Sequence, residues 1–264
     1  MTDQAGKPKA GSALAGLGVL GAIAFKFKAG VLALLKFSWL GKSFLTMFLS
    51  IGFYAMFFGL PYALAIVLLL FIHEGGHWIW MKALGLNPQA PMFVPGIGAY
   101  VAMTNLPSDA ATRAWVAFAG PLVGGVSSAA MYWGGAQLGN GWLMAAGSTG
   151  FWLNLLQLVP AKPLDGGFVV QAISKWLLLP GAIILLLLAW KFASTLLLII
   201  AVIAGFSVFN TLFRRNAVPA MNEPTPASMA QKFIIGIAYV SLAGMLAYLY
   251  VLSMTTVTQI MHRN

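Results

Sequence analysis

Residues 62–81 are uninterrupted by Lys, Arg or Asp, yet two histidines and a glutamate sit within them, in Phe71-Ile72-His73-Glu74-Gly75-Gly76-His77-Trp78. This stretch is long enough and apolar enough to be a helix in a hydrocarbon setting. Polar groups placed there must be paired or must hold a metal, because each is costly to strip of water. His73 and His77 are four residues apart, so on a helix they project from nearly one face, one turn above the other. The order is H-E-x-x-H, in which two imidazoles bind zinc and the glutamate serves as general base.

The rest of the chain supports the hydrocarbon setting. Of 264 residues, 60% are hydrophobic and 8% charged, where a soluble domain carries about a quarter charged. Several further apolar runs reach the roughly 20 residues that a bilayer core requires. The expected fold is an all-α polytopic membrane protein with about six transmembrane helices. The formal charge of +10 comes from 15 Lys and Arg against five acids. In this setting it reads as basic helix ends at one membrane face. No polar segment alternates basic residues with aromatics, so nucleic acid is not an expected partner. The absence of Cys excludes disulfides and thiolate metal ligands.

Residues 1–42 are read as a basic tail followed, over 12–40, by an interfacial or weakly inserted helix punctuated by Lys26, Lys28 and Lys36. Residues 43–180 form the expected membrane core, and 181–264 contribute further helices. Within the core, helices are expected over 43–60 and 62–84, joined at Pro61, whose fixed φ suits a first helical position. Residues 91–104 are apolar but too short to span, and Pro95, Gly96 and Gly98 oppose a helix. They predict a hairpin or re-entrant loop, which membrane depth tolerates only where protein or a cavity covers it. Ser108 or Asp109 is placed to cap a helix over 113–138. Another helix over 142–159 breaks at Pro160-Ala161-Lys162-Pro163, and a helical piece follows Leu164-Asp165-Gly166-Gly167. Residues 180–213 exceed one span and carry Lys191 inside, which fits a hairpin of unequal halves. The last span is expected over 233–257.

A catalytic zinc takes three protein ligands and keeps one position open. The third histidine, His262, lies in the polar tail. Of the five acids, only Glu74 and Asp165 stand in apolar surroundings, and Glu74 is needed as base. Asp165 is therefore the default third ligand. The prolines and glycines around it keep the backbone irregular, which frees Asp165 to point at another helix. Lys82, Arg113, Lys162 and Lys175 fall on the same side as this group. By the charge rule for loops that side is cytoplasmic.

His73-Glu74-Gly75-Gly76-His77 followed by Leu164-Asp165-Gly166-Gly167 resembles the site-2 protease family of intramembrane zinc metalloproteases. The resemblance covers about residues 43–180. It implies zinc on His73, His77 and Asp165, with Glu74 activating water. Residues 91–104 resemble the re-entrant hairpin of that family, and Ala119-Gly120-Pro121 its Gly-Pro motif. In one place the chain departs: the family's usual Asn, eight residues before the ligand Asp, is Gln157 here, with Asn154 one turn earlier. Gln157, Asn154, Gly96 and Gly98 are the candidates for positioning substrate.

The resemblance implies hydrolysis of peptide bonds in or near transmembrane segments of other membrane proteins, within the lipid bilayer. A metal-transporting or metal-binding membrane protein, or a relative that binds membrane helices and cleaves them weakly, is the alternative. Acid-poor spans oppose the former and Glu74 the latter. No insert is long enough for a peptide-binding domain, so selectivity is expected to lie in the membrane or in a partner, and an accessory membrane protein or a homo-oligomer is the partner expected. A prokaryotic plasma membrane is the expected location.

Overall fold

The computed structural model describes residue 28 and residues 39–102, 107–213 and 224–261. Most of the expected interfacial helix over 12–40, the basic pair Arg214-Arg215 and His262 lie outside the described residues. The chain forms two compact units, Met1–Leu45 and Thr46–Asn264. The described residues of the first are helical, and the site lies wholly within the second.

Helix α1 spans Trp39–Phe58 and α2 spans Leu60–Ala83. Between them Gly59 takes φ 80°, a left-handed conformation that glycine accepts without a Cβ clash, and Pro61 opens α2 as expected. After α2 the chain turns at Gly85 and forms strands β1 (Met92–Val94) and β2 (Gly98–Tyr100). These pair antiparallel in the register Met92–Tyr100, Phe93–Ala99 and Val94–Gly98. The expected hairpin is thus present. Phe93 is buried, stacks on Phe71 of α2 at 6.4 Å, and its amide donates to Thr46 Oγ1 at 3.2 Å. Those contacts hold the hairpin against α2 and α1.

Helix α3 (Ala110–Gln137) contains Pro121, and α4 (Gly141–Gln157) follows a tight turn at Gly139. Asp109 is the cap of α3; its Oδ1 accepts from the Thr112 amide at 2.7 Å. Helix α5 (Asp165–Ile173) begins directly after the irregular 158–164 segment and leads through a 3-10 turn (Lys175–Leu177) into α6 (Leu178–Lys191). Ala193 then reverses the chain into α7 (Thr195–Phe213). The expected hairpin over 180–213 is therefore formed by α6 and α7. The final described helix, α8, spans Met229–Met261.

Among the described residues, α1, α2, α3, α7 and α8 are long and apolar enough to cross a membrane. Helix α4, at 17 residues, extends about 25 Å, the short end of the range for a bilayer core, so the architecture agrees with the expected helical membrane protein of about six spans. The main core joins α3, α4, α5 and α8 through Phe118, Met144, Phe151, Val169 and Leu246. Helix α2 packs its buried Ala63, Ile66, Val67 and Leu69 face inward, continuous with the histidine face. Tyr239 of α8 donates its hydroxyl to the Leu158 carbonyl, fixing the end of α4 where the chain breaks toward Asp165.

Candidate metal centre and active-site pocket

The site begins with α2. One helical turn sets His73 and His77 on the buried face, with the ring centroids 4.9 Å apart. Asp165 arrives from the first residue of α5, where the extended Leu164 directs it toward α2. Asp165 Oδ2 lies 3.1 Å from His73 Nε2 and 3.3 Å from His77 Nε2, and the two Nε2 atoms are 3.2 Å apart. The third ligand chosen by elimination from the sequence thus meets both histidines. Together the three form a group that can hold a metal ion.

Proton positions follow from the outer faces of the two rings. His77 Nδ1 is 2.7 Å from the Val116 carbonyl, which can only accept, so Nδ1 carries the proton. His73 Nδ1 is 2.7 Å from Asn154 Oδ1. Asn154 Nδ2 donates to the Gly150 carbonyl at 2.8 Å and approaches Ser128 Oγ at 3.4 Å, which sets the amide orientation. His73 Nδ1 is therefore also the donor. With both rings neutral, each Nε2 presents a lone pair. Two lone pairs and a carboxylate oxygen then converge within 3.3 Å. Three acceptors at that distance repel unless a cation or added protons lie between them, and imidazoles held through Nδ1–H in this way are oriented to offer Nε2 to a metal.

Sequence reasoning missed these supporting groups. It offered Asn154 to a substrate, but Asn154 is buried at 3% exposure and both ends of its amide are engaged inside the protein. It orients His73 instead. Gly120 is also explained: a Cβ there would meet the His77 ring and lie 2.8 Å from His73 Nε2. The Gly-Pro motif therefore leaves room for the two imidazoles. Its neighbour Pro121 lacks an N–H, so the Ala117 carbonyl loses its helical donor beside the site. Gly124 plays the corresponding part for Asn154, whose side-chain amide occupies the space of a Cβ.

Glu74 lies outside the three-ligand group. It is buried, faces the Val101 backbone amide just beyond β2, and lines a cavity of about 880 Å³ together with His77 and Asp165. Ala99, Tyr100 and Val101 form one wall of that cavity, and Gln157 projects from the end of α4 into another. Of the residues proposed to position substrate, Gln157 alone lines the cavity. Gly96 and Gly98 take φ 77° and 139° and shape the hairpin tip. A Cβ on Gly96 would approach the Phe53 ring at 3.0 Å. The pocket thus sets a buried carboxylate, a candidate metal centre and the β2 strand around one space.

No curated protein matches the chain. Residues 61–140, which hold α2, the hairpin and α3, match the family model described as peptidase family M50, a family of membrane metalloproteases. The matched segment contains the H-E-x-x-H motif, the hairpin and Gly120-Pro121, and Asp165 completes the same centre from beyond its end. The match makes this segment, less than half of the chain, similar to that family, in line with the resemblance that the motifs carry.

Proposed function

We propose that the protein is an intramembrane zinc metalloprotease that hydrolyses peptide bonds in or near transmembrane segments of membrane-protein substrates. The observation that carries this reading is the triangle of Nε2, Nε2 and Oδ2 with edges of 3.1, 3.2 and 3.3 Å, with Glu74 beside it on the same cavity. Tetrahedral zinc with bonds of about 2.0–2.1 Å separates its ligand atoms by about 3.3 Å. A His, His, carboxylate set with one position left open is also the donor chemistry of catalytic zinc. When bound there, the metal would polarise a carbonyl and acidify water.

The chain's own residues perform the remaining work. Glu74 accepts the proton of the attacking water and returns it to the leaving amine. Asn154 and the Val116 carbonyl hold the two imidazoles with Nε2 inward. A helical substrate hides its carbonyls in i→i−4 bonds and must be extended before attack. The two-stranded β1–β2 sheet offers an edge for that purpose, and its 99–101 segment lines the cavity. Gln157 is placed to hydrogen-bond the extended peptide. The membrane is a prokaryotic plasma membrane, with the pocket mouth on the cytoplasmic side.

The test compares purified wild type with Glu74→Gln and His73→Ala on a single-span substrate, with metal content measured alongside. Glu74→Gln retains zinc and loses cleavage, by at least ~10²-fold. His73→Ala loses both. Undiminished cleavage by Glu74→Gln would overturn the assignment of Glu74.

A further inference from the structure

The cavity in front of Glu74 has an unusual charge pattern. Arg113, Lys162, Lys175 and Lys232 all line it, and among the described residues the acids that line it are Glu74 and Asp165. Both acids are already committed, one as base and one as metal ligand. All four cations are half-buried, so they stand in the cavity wall rather than reaching into bulk solvent.

Two of them stand where the helix they belong to does not favour a cation. Arg113 and Lys232 each occupy the first turn of a helix, where the positive end of the macrodipole disfavours a cation. Lys162 and Arg113 are near enough to repel each other. Arg113 Nε donates to the Pro107 carbonyl at 2.7 Å, and Asp109 lies close by but outside the cavity lining. Lys162 rests its ammonium 4.8 Å from the Phe168 ring. Backbone pairing fixes the assembly: Ala110 N donates to Thr225 O at 3.0 Å, and Thr225 N donates to Ser108 O at 2.8 Å. That bridge holds the start of α3 beside the segment that leads into α8, and so keeps Arg113 and Lys232 on one cavity.

We propose that Arg113, Lys162, Lys175 and Lys232 form a subsite for acidic side chains, Asp or Glu, that flank the cleaved segment of the substrate. The inference rests on the proteolytic reading and adds a substrate class to it. The ligand is assigned to the peptide because the cations share one cavity with Glu74 and Gln157, which an extended substrate must enter. Membrane spans commonly carry Lys and Arg at their cytoplasmic ends. A cationic subsite repels those flanks and admits acidic ones, so it selects by repulsion as well as attraction.

The test uses zinc-loaded Glu74→Gln protein in phosphatidylcholine nanodiscs, which binds without cleaving. Two fluorescent single-span peptides differ only in an Asp-Glu-Asp or Asn-Gln-Asn flank, and binding is followed by anisotropy. The acidic flank binds about tenfold more tightly at low salt. The preference collapses to below about twofold when Lys175→Gln and Lys232→Gln are added, and survives when both are replaced by Arg. Unchanged zinc content in the Gln variant certifies its fold. Equal affinity for the two peptides, or a preference that persists in the Gln variant, would overturn the proposal. So would flank-independent binding that responds only to added phosphatidylglycerol, which would assign the cations to lipid headgroups. Failure of the wild type to cleave any substrate, with the flank preference intact, counts against the protease assignment alone.

Discussion

At the scale of single residues, the centre depends on side chains that never touch the metal position. Asn154 accepts from His73 Nδ1 and is itself held by Gly150 and Ser128. Removing such a partner lets the imidazole rotate and change tautomer, and typically costs 10–100-fold in metal affinity, by order of magnitude about 1.4–2.7 kcal/mol. Asn154→Ala is expected to lower zinc affinity by about that factor, measured by competition with a chromophoric chelator. Asn154→Asp keeps an acceptor toward Nδ1 and retains most of the affinity. If Asn154 instead served the substrate, Asn154→Ala would raise KM and leave zinc affinity unchanged. The Asn154 role is not readable from the chain because Asn154 and His73 are 81 residues apart. Only the packing of α2 against α4 brings them together. Gly120 was visible as a motif, but its reason, space for two rings, required the distances.

At the scale of elements, helix ends decide where functional groups point. Helix α5 starts at Asp165, so its carboxylate leaves from a helix N-terminus, where negative charge is favoured. The start of α3 is set by Asp109, one of two caps the sequence allowed. Hydrogen bonding from the Thr112 amide lowers the Asp109 pKa below its ordinary 3.8. The folded value lies below the unfolded one, so the stabilisation is complete above the ordinary carboxyl range and is lost as pH falls through the folded value. Asp109→Ala is expected to cost about 1 kcal/mol and to flatten the acid limb of thermal stability, read by a melting series in detergent. An acid limb identical in wild type and variant would show that the cap contributes nothing there. The boundaries at Pro61, Asp109 and the 158–164 break were legible because proline, glycine and capping residues act locally. The Tyr239 bond to Leu158, which fastens that break to α8, was not, because it joins residues 81 apart.

At the scale of the whole molecule, the centre joins two elements 88 residues apart in sequence, α2 and α5. A metal bound there would tie them together and stabilise the fold by mass action. At free zinc about 100 times Kd the contribution is about 2.7 kcal/mol. Chelation is expected to lower the thermal midpoint, and zinc to restore it, with the response abolished in Asp165→Ala. A midpoint indifferent to chelation in the wild type would count against a resident metal at these three residues. The sequence by itself determined that the chain is a helical membrane protein with a short hairpin after the histidine helix, that His73 and His77 share a helix face, and that Asp165 is the acid available to join them. Those conclusions rest on hydropathy, helical period and elimination, which are local properties or simple counts. Tertiary structure alone decided that three acceptors converge within 3.3 Å, that Asn154 serves His73, and that four cations share a cavity with Glu74. Those depend on distances between segments remote along the chain, which helix packing fixes and sequence spacing does not.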